Sequence, residues 1–371
     1  MEDIQKELRV FAFYLPQFHP IPENDKWWGK GFTEWTNVGK AKKYFKGHYQ
    51  PRVPADLGYY DLRVPETRQA QADMAHKYGI DGFLYWHYWF GNGKQLLERP
   101  FNEVLTSGEP NFPFALAWAN ESWKGFAHGL RNRNMLIEQQ YLGDEDYIAH
   151  FNTILPALKD KRYITIHGKH LLMIYKPELL PDAKHFIELW QSLAIENGLK
   201  GIYFIAHHQC RKDHNGKSED ETLTEMLSYG FDAVNFVRLW NYVEHRSLYA
   251  KITGRLNRIF RRVPLVYSYK KIYPTFSNPI DSNSKVIPTI IPGWDHSPRS
   301  GKDGFVMKGS TPALFEKHVE KILDSIKEKT KEERIVFIKS WNEWAEGNYM
   351  EPDLKFGKKY LEALKNSLEK I

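Results

Sequence analysis

The chain is poor in the residues that build redox and metal centres. It has one cysteine, Cys210, among 371 residues. An intramolecular disulfide and a cysteine-based zinc site are therefore excluded. Cys210 stands beside His207 and His208, as a thiol nucleophile could, but a buried spectator thiol is the expected state. His19, His87, His207, His208 and His296 fall near strand ends, none of them in a His-x-x-x-His pair. No metal and no cofactor is expected. No run of eighteen apolar residues occurs, which excludes a membrane-spanning helix. Met1 to Arg9 is polar and lacks an apolar signal segment, so a cytoplasmic location is expected. A chain trimmed of a secretion signal would read the same. The formal charge of +6 is mild and calls for no nucleic acid.

What is present in excess is aromatic. Phe, Trp and Tyr make up 15% of the chain, with 12 Trp, and the apolar share of 42% can fill a sizeable core. Tryptophan at this density suggests a lined pocket as well as a core. Strand patterns recur at Arg9–Tyr14, Gly82–Phe90, Phe114–Trp118, Leu171–Tyr175, Ile202–Ala206, Ala233–Phe236, Val286–Ile291 and Ile335–Ile338. Helical spacing recurs between them, at Pro65–Tyr78, Lys94–Ser107, Asp144–Lys159, Asp182–Asn197, Thr222–Tyr229, after Thr311, and around Leu361 to Ile371. About eight of each, in alternation, predict an α/β fold, a (β/α)8 TIM barrel with long strand-end loops. No polar linker divides residues 1–371, so one catalytic domain is expected. A doubly wound sheet is the runner-up, but no glycine fingerprint follows the first strand.

The densest chemistry lies in Ser340 to Asp353, just after the last strand. Glu343, Glu346 and Glu351 stand there among Trp341, Asn342, Trp344 and Tyr349. Carboxylates move protons and flat rings stack on sugars, so this stretch reads as a carbohydrate site. Glycosidic cleavage uses two carboxyl groups. Glu343 and Glu346, three apart, are the candidate catalytic pair. Glu121, after Asn120, repeats the Asn-Glu spelling, which makes Glu121 with Glu343 a rival pair. Other strand-end residues form the candidate binding surface. They are Tyr14, Gln17, His19, Trp28, Glu34 and Trp35 after the first strand, and Trp86, His87 and Tyr88 on the second. Trp118, Asn120, Glu121 and Trp123 follow the third. Trp294, Asp295, His296 and Arg299 follow the seventh, and Asn342 and Trp344 follow the eighth.

Several of these segments are familiar together. Phe13-Tyr14-Leu15-Pro16-Gln17-Phe18-His19, Trp27-Trp28-Gly29, Gly31-Phe32-Thr33-Glu34-Trp35, Trp118-Ala119-Asn120-Glu121 and Trp341-Asn342-Glu343-Trp344-Ala345-Glu346-Gly347 resemble the WbsX-like family. The resemblance covers nearly the whole chain. It implies a glycosyltransferase-type assignment in lipopolysaccharide or O-antigen synthesis, and a kinship with family 99 endo-α-mannosidases and endo-α-mannanases. In those hydrolases the first Glu of the segment acts as base on the sugar 2-hydroxyl. A 1,2-anhydro intermediate forms, and the second Glu serves as acid and then base. Carried over, the resemblance implies Glu343 as the 2-hydroxyl base, Glu346 as the acid/base and Asn342 as an orienting group. Trp294 and Arg299 match an aromatic residue and an arginine beyond the seventh strand. Ala345 departs from the histidine common in the hydrolases, which bears on the sugar.

Three readings stay open at this level: a retaining endo-acting hydrolase on an α-mannose-type or related bacterial glycan, a glycosyltransferase, or a non-catalytic glycan-binding protein. A nucleotide-sugar transferase should show a diphosphate site. Asp144 and Asp146 spell an Asp-x-Asp pair but precede a helix, where capping is expected. The partner expected is a glycan or polysaccharide. One segment, 246–271, carries Arg246, Lys251, Arg255, Arg258, Arg261, Arg262, Lys270 and Lys271 without an acid, with Ile252, Leu256, Ile259 and Phe260 on roughly one helical face. Such a segment admits weak peripheral contact with anionic lipid. A solvated barrel helix is the reading favoured there.

Overall fold

The computed structural model describes residues 7–125, 130, 134–210, 216–244, 252, 255–256, 259–260 and 263–370. Eight parallel strands close on themselves. They are β1 (Arg9–Tyr14), β2 (Gly82–Trp89), β3 (Phe114–Trp118), β4 (Lys169–Ile174), β5 (Ile202–Gln209), β6 (Ala233–Val237), β7 (Val286–Ile290) and β8 (Ile335–Ile338). β1 pairs with β8 through Arg9 and Ile335 and with β2 through Phe11 and Gly82, which closes the ring. The strands are buried almost throughout because helices cover their outer faces. The alternation therefore means what it was read to mean, a (β/α)8 barrel.

The covering helices are α1 (Pro65–Lys77), α2 (Arg99–Ser107), α3 (Asp144–Leu158), α4 (Ala183–Glu196), α5 (Glu219–Ser228), α6 (Pro312–Ile326) and α7 (Lys359–Leu368). Their starts follow local chemistry. Asp182 caps α4 by accepting from His185 N, Ser218 and Glu221 form a capping box on α5, and Thr311 accepts from Leu314 N with Pro312 at the first position of α6. The connection after β6 holds, among the described residues, the helical turn Asn241–Glu244, the strand Leu265–Ser268, which pairs with Phe305–Lys308, and the short turns Tyr269–Ile272, Tyr273–Phe276 and Pro279–Ser282. Of the basic segment 246–271, Ile252, Leu256, Ile259 and Phe260 are described and exposed. Arg246, Lys251, Arg258, Arg261 and Arg262 lie outside the described residues.

Two local expectations change. The helical stretch expected over Lys94–Ser107 with an interruption at Pro100 is instead one helix that begins at Arg99, with Pro100 in its first turn where a missing N–H costs nothing. Gln95–Leu96 instead pairs antiparallel with the end of β2. Asp144 and Asp146 do not cap α3, since Gly143 holds the cap position. Asp144 meets His185 at 2.7 Å on the surface, and Asp146 accepts from Trp89 Nε1 and Asn92 N.

The strand-end loops form a second layer over one end of the barrel. Residues 17–61 fold into short helices, Pro22–Trp28 and Glu34–Gly39, with Thr33 in a capping box. Phe18, Trp35 and Tyr60 pack together there, and Trp35 Nε1 donates to Tyr60 O at 2.7 Å. Of this segment Gln17 lines the cleft described next.

Candidate active site

A cleft of about 540 Å³ opens at the C-terminal end of the barrel. Strand alternation decides who reaches it. On β2 Trp86 and Tyr88 line the cleft, whereas His87 turns outward and meets His150 of α3, Nε2 to Nε2, at 2.8 Å. Burial pushes His87 down to about 4. On β3 Trp118 also turns outward, donates to Trp89 O and packs against His150 and Phe186. Tyr14 turns outward on β1 and donates to Gln71 of α1. His87, Trp118 and Tyr14, expected in the binding surface, are therefore wall residues.

Glu343 and Glu346 both line the cleft. Glu343 is 5% exposed and accepts from Trp86 Nε1 at 2.9 Å, with Lys339 Nζ 3.7 Å from the same oxygen. Glu346 is ion-paired to Arg299, and the same guanidinium meets buried Glu34 at 3.1 Å. His296 Nε2 lies 3.8 Å from Glu346, while its Nδ1 meets Ser300 Oγ at 2.7 Å. Burial, then the Arg299 charge, holds His296 down to about 3, so this ring is neutral at physiological pH. Glu34 thus reaches the site through Arg299.

The backbone at the second acid, Glu346-Gly347, is held from behind. Gly347 has φ +63°, and a Cβ there would meet Asp295 Cβ at 2.8 Å and Arg52 Cζ at 3.0 Å. That close approach lets Asp295 N donate to Glu346 O at 2.7 Å and Arg52 donate to Gly347 O at 2.9 Å. Asp295 accepts from His48 and Gln50, both at 2.7 Å. Burial opposes its charge, yet the His48 hydrogen bond and the Arg52 charge hold it below the usual carboxylate range. Asp295 therefore braces the Glu346 backbone from outside the cleft.

Asn342 is also a brace. Its amide accepts from Leu15 N at 2.7 Å and donates to Leu15 O at 3.0 Å, tying the loop after β8 to the end of β1. It was expected to orient substrate, but both polar atoms serve the backbone. Asn120 does the same between β3 and β4, accepting from Lys176 N and donating to Lys176 O. Trp344 is buried, stacks on Tyr349 at 3.8 Å and donates to Glu351. Glu351 also accepts from Tyr60 and Gln71, and burial pushes it up to about 7. It is a core carboxyl. His19 is buried, with burial holding it down to about 4; Trp28 stacks on Phe32 at 4.6 Å, and Trp35 lies in the loop layer. None of these three lines the cleft.

Gln17, Trp86, Tyr88, Glu121, Trp123, Trp294, His296 and Arg299 do line it with the two acids. So do Lys176, Gln209, Trp240 and Lys339, which reading of the sequence passed over. Lys339 had a signal. It follows the apolar run of β8 in the inward register of Phe337, where a lysine is out of place. Cys210 is buried 3.4 Å from Glu219, and burial with that acid pushes its thiol well up, so it is an inert thiol. Among the described residues no three His, Cys, Asp or Glu side chains converge to hold a metal ion.

The family model described as Glycosyltransferase WbsX matches residues 10–364. Two curated relatives, both named Uncharacterized protein WxcX, come from Xanthomonas campestris pv. campestris strains B100 and ATCC 33913. Each is 34% identical over 365 residues, covering 97% of this chain and 49% of the relative. The chain thus spans about half the length of the curated relatives it matches. Among solved structures, a glycoside hydrolase-like protein superposes with a TM-score of 0.59 at 16% identity, covering 98% of this chain and 94% of its own. The GH99 endo-α-mannosidase of Bacteroides thetaiotaomicron superposes with 0.57 at 14% identity, covering 98% and 97%. These two share the barrel. The match over nearly the whole length settles the kinship: the chain belongs to the WbsX glycosyltransferase family.

Proposed function

We propose that this chain is a retaining, endo-acting glycoside hydrolase on an α-mannose-type or related bacterial glycan. The observation that carries the reading is that Glu343 and Glu346 line one cleft at the strand ends, each held by different partners. Glu343 accepts the proton of the sugar 2-hydroxyl while O2 attacks C1. The C1–O bond to the leaving sugar breaks, and the leaving oxygen takes a proton from Glu346. Glu346 then takes a proton from water, which attacks C1 of the 1,2-anhydro sugar. The C1–O2 bond opens and Glu343 returns its proton to O2. Atoms and charge balance at each step.

Glu34 and Glu346 share Arg299, while Glu343 lies beside Lys339. Glu346 must carry a proton to act as the acid. The endo-acting preference rests on likeness to an endo-α-mannosidase and on two aromatic residues, Trp123 and Trp240, along the cleft.

The family description favours a second reading, transfer from an activated sugar donor. The Asp144/Asp146 pair, which spells an Asp-x-Asp diphosphate site, is tied to protein groups instead, Asp144 to His185 and Asp146 to Trp89 and Asn92. The deciding experiment incubates the protein with α-mannans and O-antigen polysaccharides, with and without nucleotide sugars, and reads products by mass spectrometry. Shortened glycans without nucleotide sugar, abolished in Glu343→Gln and Glu346→Gln, support hydrolysis. Products that form only with a nucleotide sugar establish transfer. Glycan retention with no product in either arm indicates a binding protein.

A further inference from the structure

Lys339 is the best-enclosed cation facing the cleft. Its residue is 5% exposed, and its ammonium stands 5.2 Å from the Phe13 ring centroid, 5.1 Å from Trp86 and 5.8 Å from Trp294. These rings come from β1, β2 and the loop after β7, so the ammonium projects into the mouth of the barrel. Aromatic faces attract a cation but replace little of its lost hydration. An ammonium has three N–H donors. It lies 3.7 Å from Glu343 Oε1, beyond hydrogen-bond length, and that oxygen already accepts from Trp86 Nε1 at 2.9 Å. Unspent donors thus stand beside the carboxylate that faces the cleft, and both residues line that cleft.

The 3.7 Å gap has a geometric meaning. Two groups that far apart can both lie about 2.8 Å from one oxygen placed between them, a normal hydrogen-bond length to each. A sugar hydroxyl fits that position because it donates to a carboxylate and accepts from an ammonium at once. We propose that Lys339 contacts the substrate, gripping with Glu343 the one sugar hydroxyl whose proton Glu343 removes. This rests on the hydrolase reading for the identity of that hydroxyl, at C2, and for the proton transfer. As the proton moves to Glu343, negative charge grows on the hydroxyl oxygen. The ammonium then sits closer to the new charge than it did to the carboxylate. Fixed cations in a dry, aromatic surround stabilise such developing charge strongly. The alternative is a lysine that merely fills the barrel mouth and pairs with Glu343.

Lys339→Met keeps the length and volume of the stem and removes the charge, while Lys339→Arg keeps the charge. Thermal melting first confirms that both fold. Affinity is then measured by titration NMR for methyl glycosides of mannose, rhamnose, glucose and galactose, each beside its 2-deoxy counterpart. The wild type is expected to prefer at least one 2-hydroxy sugar by about tenfold, an ordinary value for a hydrogen bond to a charged group. That preference should vanish in Lys339→Met and persist in part in Lys339→Arg. Turnover of an aryl α-mannoside and of an unactivated mannan should both fall about 10²–10³-fold in Lys339→Met, because a good leaving group replaces acid assistance but not help at O2. An unchanged preference, no 2-hydroxyl preference in the wild type, or a loss confined to the unactivated substrate overturns the proposal. Should Glu343→Gln keep turnover while the Lys339-dependent preference stands, the hydrolase mechanism fails and the hydroxyl grip survives.

Discussion

Asn120-Glu121 and Asn342-Glu343 are the same dipeptide at the ends of two barrel strands, and the barrel uses their asparagines alike. Each side-chain amide brackets the backbone of a residue beyond a neighbouring strand, Lys176 in one case and Leu15 in the other. Each glutamate then faces the cleft. The difference lies in what surrounds the carboxylate. Glu343 is enclosed, with Trp86 donating to it and Lys339 beside it. Glu121 is half-buried and lines the same cleft. A shared backbone clamp delivers an acid to the site, and for Glu343 the Trp86 N–H and the Lys339 ammonium then set its surroundings.

The comparison breaks most visibly in catalysis. Glu343→Gln and Glu346→Gln should each lower turnover about 10²–10⁴-fold, while Glu121→Gln should stay within about tenfold of wild type. Steady-state rates on the glycan identified by the substrate panel measure this. A large loss in Glu121→Gln with little in Glu346→Gln would make Glu121 the partner of Glu343.

Stability tests the clamps. Asn342→Ala strands the buried Leu15 N–H and C=O and should cost about 2–4 kcal/mol, and Asn120→Ala should cost no more than that. Urea unfolding of both variants checks the order. A cost below about 1 kcal/mol for Asn342→Ala would return that residue to a substrate-orienting role.

Glu351 sharpens the contrast from within the same segment, because it is enclosed like Glu343 but lies outside the cleft that Glu343 and Glu346 line. Its carboxyl is raised from 4.5 to about 7 by burial. The folded state therefore holds a proton that the unfolded chain has released, and the associated stability is full below about pH 4.5. It is lost as pH rises to about 7, by at most about 3 kcal/mol over that interval. Denaturant midpoints at several pH values should show this slope in the wild type and a flatter one in Glu351→Gln. The smallest effect concerns the donor to Glu343. Trp86→Phe keeps a ring against Phe13 and removes one N–H, which should lower turnover about fivefold.

Much of this was legible before any coordinates. Phe114–Trp118 and Ile335–Ile338 are strands at the expected residues, since short apolar runs bounded by polar turns admit little else. The Lys94–Ser107 helix was misread because Gln95–Leu96 is a strand only by virtue of its partner, Tyr88–Trp89. Among site residues, the errors share a cause. Tyr14, His87 and Trp118 carry the right chemistry on the wrong face, for a shift of one residue reverses which side chains point inward. Asn342, Asp295 and Trp344 carry the right chemistry too, but their polar atoms are spent on backbone or buried partners, far away in sequence for Asn342 and Asp295 and within the same loop for Trp344.

Local pattern by itself determined the alternation of strands and helices, the capping of α4 to α6 and the crowding of acids and rings after the last strand. Those features depend on neighbours within a few residues, and the chain records such neighbours directly. Only closure of the barrel decided that Trp86 faces Glu343, that Arg299 joins Glu34 to Glu346 and that Lys339 is ringed by Phe13, Trp86 and Trp294. These contacts join residues up to hundreds of positions apart, and their distances follow from strand register and loop packing.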